Sequence, residues 1–144
     1  MNNRWRDWQW WLALGAGPLF CLVLIVAGLD VVGPDWIAGA ILTFLLLALV
    51  YPVLEEIVFR GLIQDSLSER LTIWRFQLIS KANLLTSLAF TALHFFSHPP
   101  LWAASVFLPS LLFGYFRERH NSLVSPITLH AFYNSVYFAL FGIA

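Results

Sequence analysis

Apolar residues run in five stretches along the chain, at roughly 11–30, 36–54, 83–97, 101–116 and 123–143, and most charges fall between them. The breaks carry turn signals: "DVVGPD" after the first stretch, "SHPP" after the third and "RERHNS" after the fourth. The second stretch does not stop at its last apolar residue. "IVFRGLIQDSLSERL" alternates apolar and polar positions at helical spacing, which predicts a helix running on past Glu55 and Glu56. No internal repeat or low-complexity tract interrupts the pattern. Apolar runs of this length predict membrane-spanning helices. The first, from Leu12 to Leu29, exceeds a signal-peptide core and lacks a small-x-small site before Asp30, so it reads as a retained first membrane helix. The third and fourth stretches are short. At 1.5 Å per residue, about 15 residues reach only ~23 Å, against a ~30 Å hydrocarbon core. The "SHPP" turn is therefore expected within the membrane or where the bilayer is thinned.

The charges give this pattern a direction. Arg4 and Arg6 precede the first stretch; Arg70, Arg75 and Lys81 lie between the second and third; Arg117 and Arg119 lie between the fourth and fifth. These are alternate loops, and the first loop has Asp30 and Asp35 instead. Because cytoplasmic loops collect Lys and Arg, the N-terminus is expected inside and the C-terminus outside. Trp5, Trp8, Trp10, Trp11 and Trp74 are expected at the inner interface, and Trp36 and Trp102 near the outer one.

Composition agrees. The chain of 144 residues is 60% hydrophobic and 11% charged, and its mean hydropathy is +0.76. Soluble domains carry about 25% charged residues. The predicted fold class is thus all-α: a polytopic membrane helix bundle of about five transmembrane helices in a cell membrane, forming one domain, 1–144. Net charge is zero, which leaves no broad basic surface for nucleic acid. The only cysteine, Cys21, has no polar residue within six positions and is expected to serve packing.

Ionisable groups inside apolar stretches are costly and tend to mark function. Here they are Glu55, Glu56, Arg60, His94 and His130, joined by the amide Asn134. Glu56 and Arg60 are four apart with the acid first, the favourable order for a helical ion pair. Glu55 points about 100° away from Glu56, and the residue four beyond it is Phe59. A charged helix end with a snorkelling Arg60 accounts equally well for these three. His94 lies roughly 17 Å along a helix from Asn83. His130 and Asn134 are four apart and share a face. A carboxylate, two histidines and an amide on separate helices suit water activation by Glu55 and His94, with His130 and Asn134 holding a developing oxyanion. The same Glu/His/His set suits Zn²⁺, although H-E-x-x-H is absent. A non-catalytic membrane scaffold keeps such residues for helix contacts. The only lysine, Lys81, sits in a loop; no aspartate lies mid-stretch and no G-x-S-x-G occurs, so other intramembrane hydrolase chemistries fit poorly. His98 and His120 fall in turns and are expected to be solvated or interfacial.

Glu-Glu-x-x-x-Arg at 55–60, Phe-x-x-x-His at 90–94 and His-x-x-x-Asn at 130–134, with "RG" closing the first and "SPITLHAFYN" framing the third, resemble the CAAX-protease and bacteriocin-processing (ABI) family of glutamic intramembrane proteases. The resemblance covers about residues 40–144. It implies that Glu55 and His94 activate water, that His130 and Asn134 line the oxyanion site, and that Glu56, Arg60 and Phe90 support them, without metal or other cofactor. It also implies an N-terminal segment and first helix, 1–35, ahead of a protease core, 36–144. Better-known members often have eight membrane helices, so this chain is near the minimal core. Short bacterial members similar to it serve sorting systems, which implies a membrane-anchored protein or peptide substrate carrying a C-terminal sorting signal.

Overall fold

The computed structural model describes residues 4–71, 75, 76 and 78–143; Trp74 lies outside them. A single 3₁₀ turn, Arg4–Arg6, leads into helix α1, Trp8–Val26. Asp7 caps α1, its carboxylate accepting from the Gln9 amide at 3.1 Å. The cap sets the helix start three residues ahead of the apolar stretch. Gly28, at φ +95°, turns the chain after it. A short helix α2, Trp36–Gly39, precedes α3, a continuous helix Ile41–Arg70. The extension of α3 past the glutamates follows the periodicity of its sequence. A two-stranded antiparallel ladder, β1 Arg75–Phe76 and β2 Ile79–Ser80, pairs Arg75 with Ser80 and Phe76 with Ile79 in what the sequence marks only as a basic loop. Then come α4 Lys81–His94, α5 Pro100–Ser105, α6 Phe107–His120 and α7 Val124–Phe141. Ser80 caps α4 through the Asn83 amide at 2.9 Å, and Asn121, in the left-handed region at φ +47°, ends α6.

The described fold is all-α apart from that hairpin. Two of its helices, Trp8–Val26 and Ile41–Arg70, are long and apolar enough to cross a membrane. Their apolar side chains face outward: Leu12, Leu22, Val23, Leu42 and Leu54 are all more than half exposed. A lipid solvent accounts for that exposure, since tails satisfy such surfaces as well as a core does.

The chain forms two compact units, one of 1–54 with 128–144 and the other of 55–127. In the first unit, α7 is the hub. Tyr133 lies against Gly17 of α1, where a Cβ would collide with its ring, and its hydroxyl donates to the Ala13 carbonyl. The amides of Val32 and Gly33 donate to the Leu140 carbonyl at 2.9 and 3.1 Å, and Trp36 Nε1 donates to the Phe138 carbonyl at 3.0 Å. The first loop therefore caps the end of α7, and both lie on one side of this unit. Trp10 is 1% exposed and packs inside, unlike Trp5, Trp8 and Trp11, so it is not part of an interfacial belt.

In the second unit α4 and α6 pack closely. Gly114 permits this: a Cβ there would overlap the side-chain oxygens of Asn83 and Gln64. A polar cluster ties one end together. Gln64 donates to the Gly114 carbonyl at 3.1 Å and to Glu118 at 2.8 Å, Ser80 donates to Glu118, and Arg117 pairs with Asp65 at 2.6 Å. The end of α3, the start of α4 and the end of α6 thus meet on one side. His120 closes α6 half-buried, with Nδ1 2.7 Å from Ser125 Oγ, so of the two expected settings, solvated or interfacial, the solvated turn is excluded. His98 is exposed in the turn after α4, as expected.

Candidate functional site

Glu55 and Glu56 lie at the end of an α-helical stretch of α3, Tyr51–Glu56, between two π-helical stretches, Leu46–Val50 and Ile57–Gln64. Pro52 begins to explain this. A proline has no N–H and its ring collides with the carbonyl four residues back, so the turn before it opens. Tyr51 accordingly donates five residues back, to the Leu46 carbonyl. Widened turns of this kind recur at functional sites.

Glu56 and Arg60 form the expected ion pair, Nε to Oε2 at 3.1 Å, with both side chains 0% exposed. Arg60 is therefore not a snorkelling residue at the inner interface. Its Nη2 donates to the backbone carbonyl of Ser110 at 3.0 Å and to the Ser110 hydroxyl at 2.6 Å. The guanidinium also sits over the Phe90 ring at 5.7 Å, and Phe59 meets that ring edge-on at 4.9 Å. Phe90 in turn contacts the His94 ring at 4.5 Å. A buried charge pair is costly unless its remaining donors and acceptors are served; here Ser110 serves Nη2 and the Phe90 ring faces the guanidinium, while Nη1 has no hydrogen-bond partner among the described residues. Ser110, four residues before Gly114 in an apolar stretch, escaped the sequence reading. The signal available was a hydroxyl and a glycine on one helical face.

His94 Nδ1 lies 2.9 Å from the Phe90 carbonyl. A carbonyl only accepts, so Nδ1 carries the hydrogen and a neutral ring presents the Nε2 lone pair. That is the form that takes a proton from water. His94 and Glu55 are both half-buried, whereas Glu56 is fully enclosed. His98 stacks on His94 with ring centroids 5.5 Å apart. All of these residues belong to the second unit.

His130 and Asn134 belong to the first unit, one turn apart on α7. His130 is 7% exposed. Asn134 Nδ2 donates to the Leu47 carbonyl at 3.0 Å, which occupies one of its two amide hydrogens. Cys21 is buried, in keeping with a packing role. Among the described residues, no three His, Cys, Asp or Glu side chains gather closely enough to hold a metal ion.

A family model described as Rce1-like, type II CAAX prenyl endopeptidase, matches residues 35–136. No curated protein and no solved structure matches the chain.

Proposed function

The chain belongs to the Rce1-like family of type II CAAX prenyl endopeptidases, and from that premise we propose that it is a glutamate-dependent, metal-independent intramembrane endopeptidase whose Glu55 and His94 activate water. The observation that carries this is the 2.9 Å approach of His94 Nδ1 to the Phe90 carbonyl, an orientation in which the neutral ring turns Nε2 to accept. Glu56 is committed to Arg60, so of the two adjacent carboxylates Glu55 is the one assigned to chemistry.

In the proposed reaction a water molecule, hydrogen-bonded to Glu55 and His94, attacks the scissile carbonyl carbon and gives up a proton to one of them. His130 and an amide hydrogen of Asn134 stabilise the oxyanion. When the intermediate collapses, the C–N bond breaks and the proton passes to the leaving amine. No oxidant or cofactor enters. The substrate is a membrane-anchored protein or peptide, with a C-terminal sorting signal as the recognised feature. The enzyme is a multi-pass protein of the cell membrane, with about five helices and its N-terminus inside. Two contacts support that topology. The first loop meets the end of α7, and the polar cluster joins the regions around 65, 80 and 118.

The test uses protein purified in lipid nanodiscs and two reporter peptides. One ends in an apolar segment with a basic tail; the other ends in a prenylated cysteine motif. In ¹⁸O-water, cleavage should place one heavy oxygen in the new carboxylate, persist with chelator, and fall by roughly 10²–10⁴-fold in His94→Ala. Cleavage that stops on chelation overturns the metal-independent reading. Cleavage of neither peptide, with Glu55→Gln complementing a deletion as well as the native chain, points to a non-catalytic role.

A further inference from the structure

We propose that the side-chain amide of Asn134 stands in for the N–H that Pro52 lacks, and that this makes Asn134 a positioning residue holding α3 in its widened register just ahead of Glu55. In the stretch Leu46–Val50 the backbone pairs five residues apart, and Tyr51 N–H donates to the Leu46 carbonyl. The next rung would run from residue 52 to the Leu47 carbonyl. Residue 52 is proline, so that rung has an acceptor and no donor. Pro52 is among the fully buried residues, and an unpaired carbonyl in such surroundings is costly because no water replaces the missing partner. Asn134 Nδ2 lies 3.0 Å from that same Leu47 oxygen. The donor missing from the helix is supplied by a side chain of α7.

The exchange fixes a choice of register. Without an outside donor, α3 pairs best by closing the turn to ordinary four-residue spacing, which shortens the number of carbonyls left over at the proline. Closing a widened turn removes one residue from it. Every later residue on the same helix then rotates by about 100°. Glu55 and Glu56 are the first carboxylates after that turn, so the Asn134 amide determines which way they point along α3. The hydrogen-bond exchange stands by itself; only its consequence for catalysis by Glu55 rests on the proposed function.

A double-mutant cycle on the full chain in detergent micelles tests the exchange without any substrate. Asn134→Leu removes the donor, and Pro52→Ala restores a backbone N–H at position 52. Asn134→Leu alone should lower Tm by roughly 3–6 °C, the loss of one buried hydrogen bond in a chain of this size. In the Pro52→Ala background the same change should lower it by less than half as much. Equal losses in the two backgrounds overturn the exchange. If Asn134→Leu alone does not fold, the double variant should, and failure of both is also a refutation.

A second readout reports register directly. Nitroxides attached at Leu54, Ile57, Val58 and Leu62, which are exposed on α3, are scanned for collision with oxygen dissolved in lipid, in a Cys21→Ala background. The phase of the accessibility pattern should shift by about 100° in Asn134→Leu relative to the native sequence. A purely structural hydrogen bond would change stability and leave that phase alone. Coupling with an unshifted phase therefore overturns the positioning role. Loss of proteolysis in the previous test leaves both results standing.

Discussion

At the scale of single residues, the buried Glu56–Arg60 pair sets the terms. Two charges at zero exposure hold each other, Glu56 through Arg60 Nε, and Arg60 also meets Ser110 through Nη2 and the Phe90 ring, leaving only Nη1 without a hydrogen-bond partner among the guanidinium nitrogens. Removing one partner should be far worse than removing both. Glu56→Leu or Arg60→Leu alone is predicted to cost about 3–5 kcal/mol, whereas the double replacement should recover most of that loss. Denaturation of the three variants in micelles measures the difference, and additive losses contradict it. This pair was legible in the sequence because four-residue spacing on a helix places an acid and a base together wherever the helix lies. Its burial was not legible. An interfacial, snorkelling Arg60 has the same spacing, and only the hydroxyl of Ser110, on a helix some fifty residues away, separates the two cases. His94 shows the same limit. Its position was readable as an exception in an apolar stretch, but the hydrogen on Nδ1 follows from a carbonyl four residues back and the ring's rotamer.

At the scale of elements, periodicity gave the helices and missed their irregularities. The run through Glu55 to Arg70 was readable because its polar positions keep helical spacing. The π-helical stretches around it were not, since one extra residue in a turn leaves the apolar count almost unchanged. Pro52 was the one local signal, and it marks where the first stretch ends. The hairpin at 75–80 was missed because its strands are two residues each, too short to show alternation. Close helix approach was likewise hidden. Gly114 reads as a neutral break, yet it leaves the space that Asn83 and Gln64 occupy between α4 and α6. Gly114→Ala is predicted to cost about 1–3 kcal/mol through overpacking, because the added methyl meets two hydrogen-bonded side chains. Thermal unfolding should show the loss, and it should shrink in an Asn83→Ala background.

At the scale of the whole molecule, the alternation of basic loops and the exposed apolar faces of α1 and α3 describe a chain that lives in lipid. Reporter fusions should place the 65–82 loop inside and the C-terminus outside; a cytoplasmic C-terminus contradicts the five-helix count, with the short 83–116 region as the place to look. The family assignment was readable from three short motifs in order, and the match over residues 35–136 agrees with it. The roles within those motifs rest on chemistry, and one measurement addresses them most directly. Native chain, Glu55→Ala and Glu56→Ala, each reconstituted in nanodiscs at matched folded concentration, are compared for ¹⁸O-labelled cleavage of the membrane-anchored reporters. Water activation by Glu55 predicts that Glu55→Ala loses at least 10²-fold in rate while remaining as stable as the native chain, a loss typical of a missing general base. Glu56→Ala should lose stability first. Undiminished cleavage by folded Glu55→Ala would contradict the account.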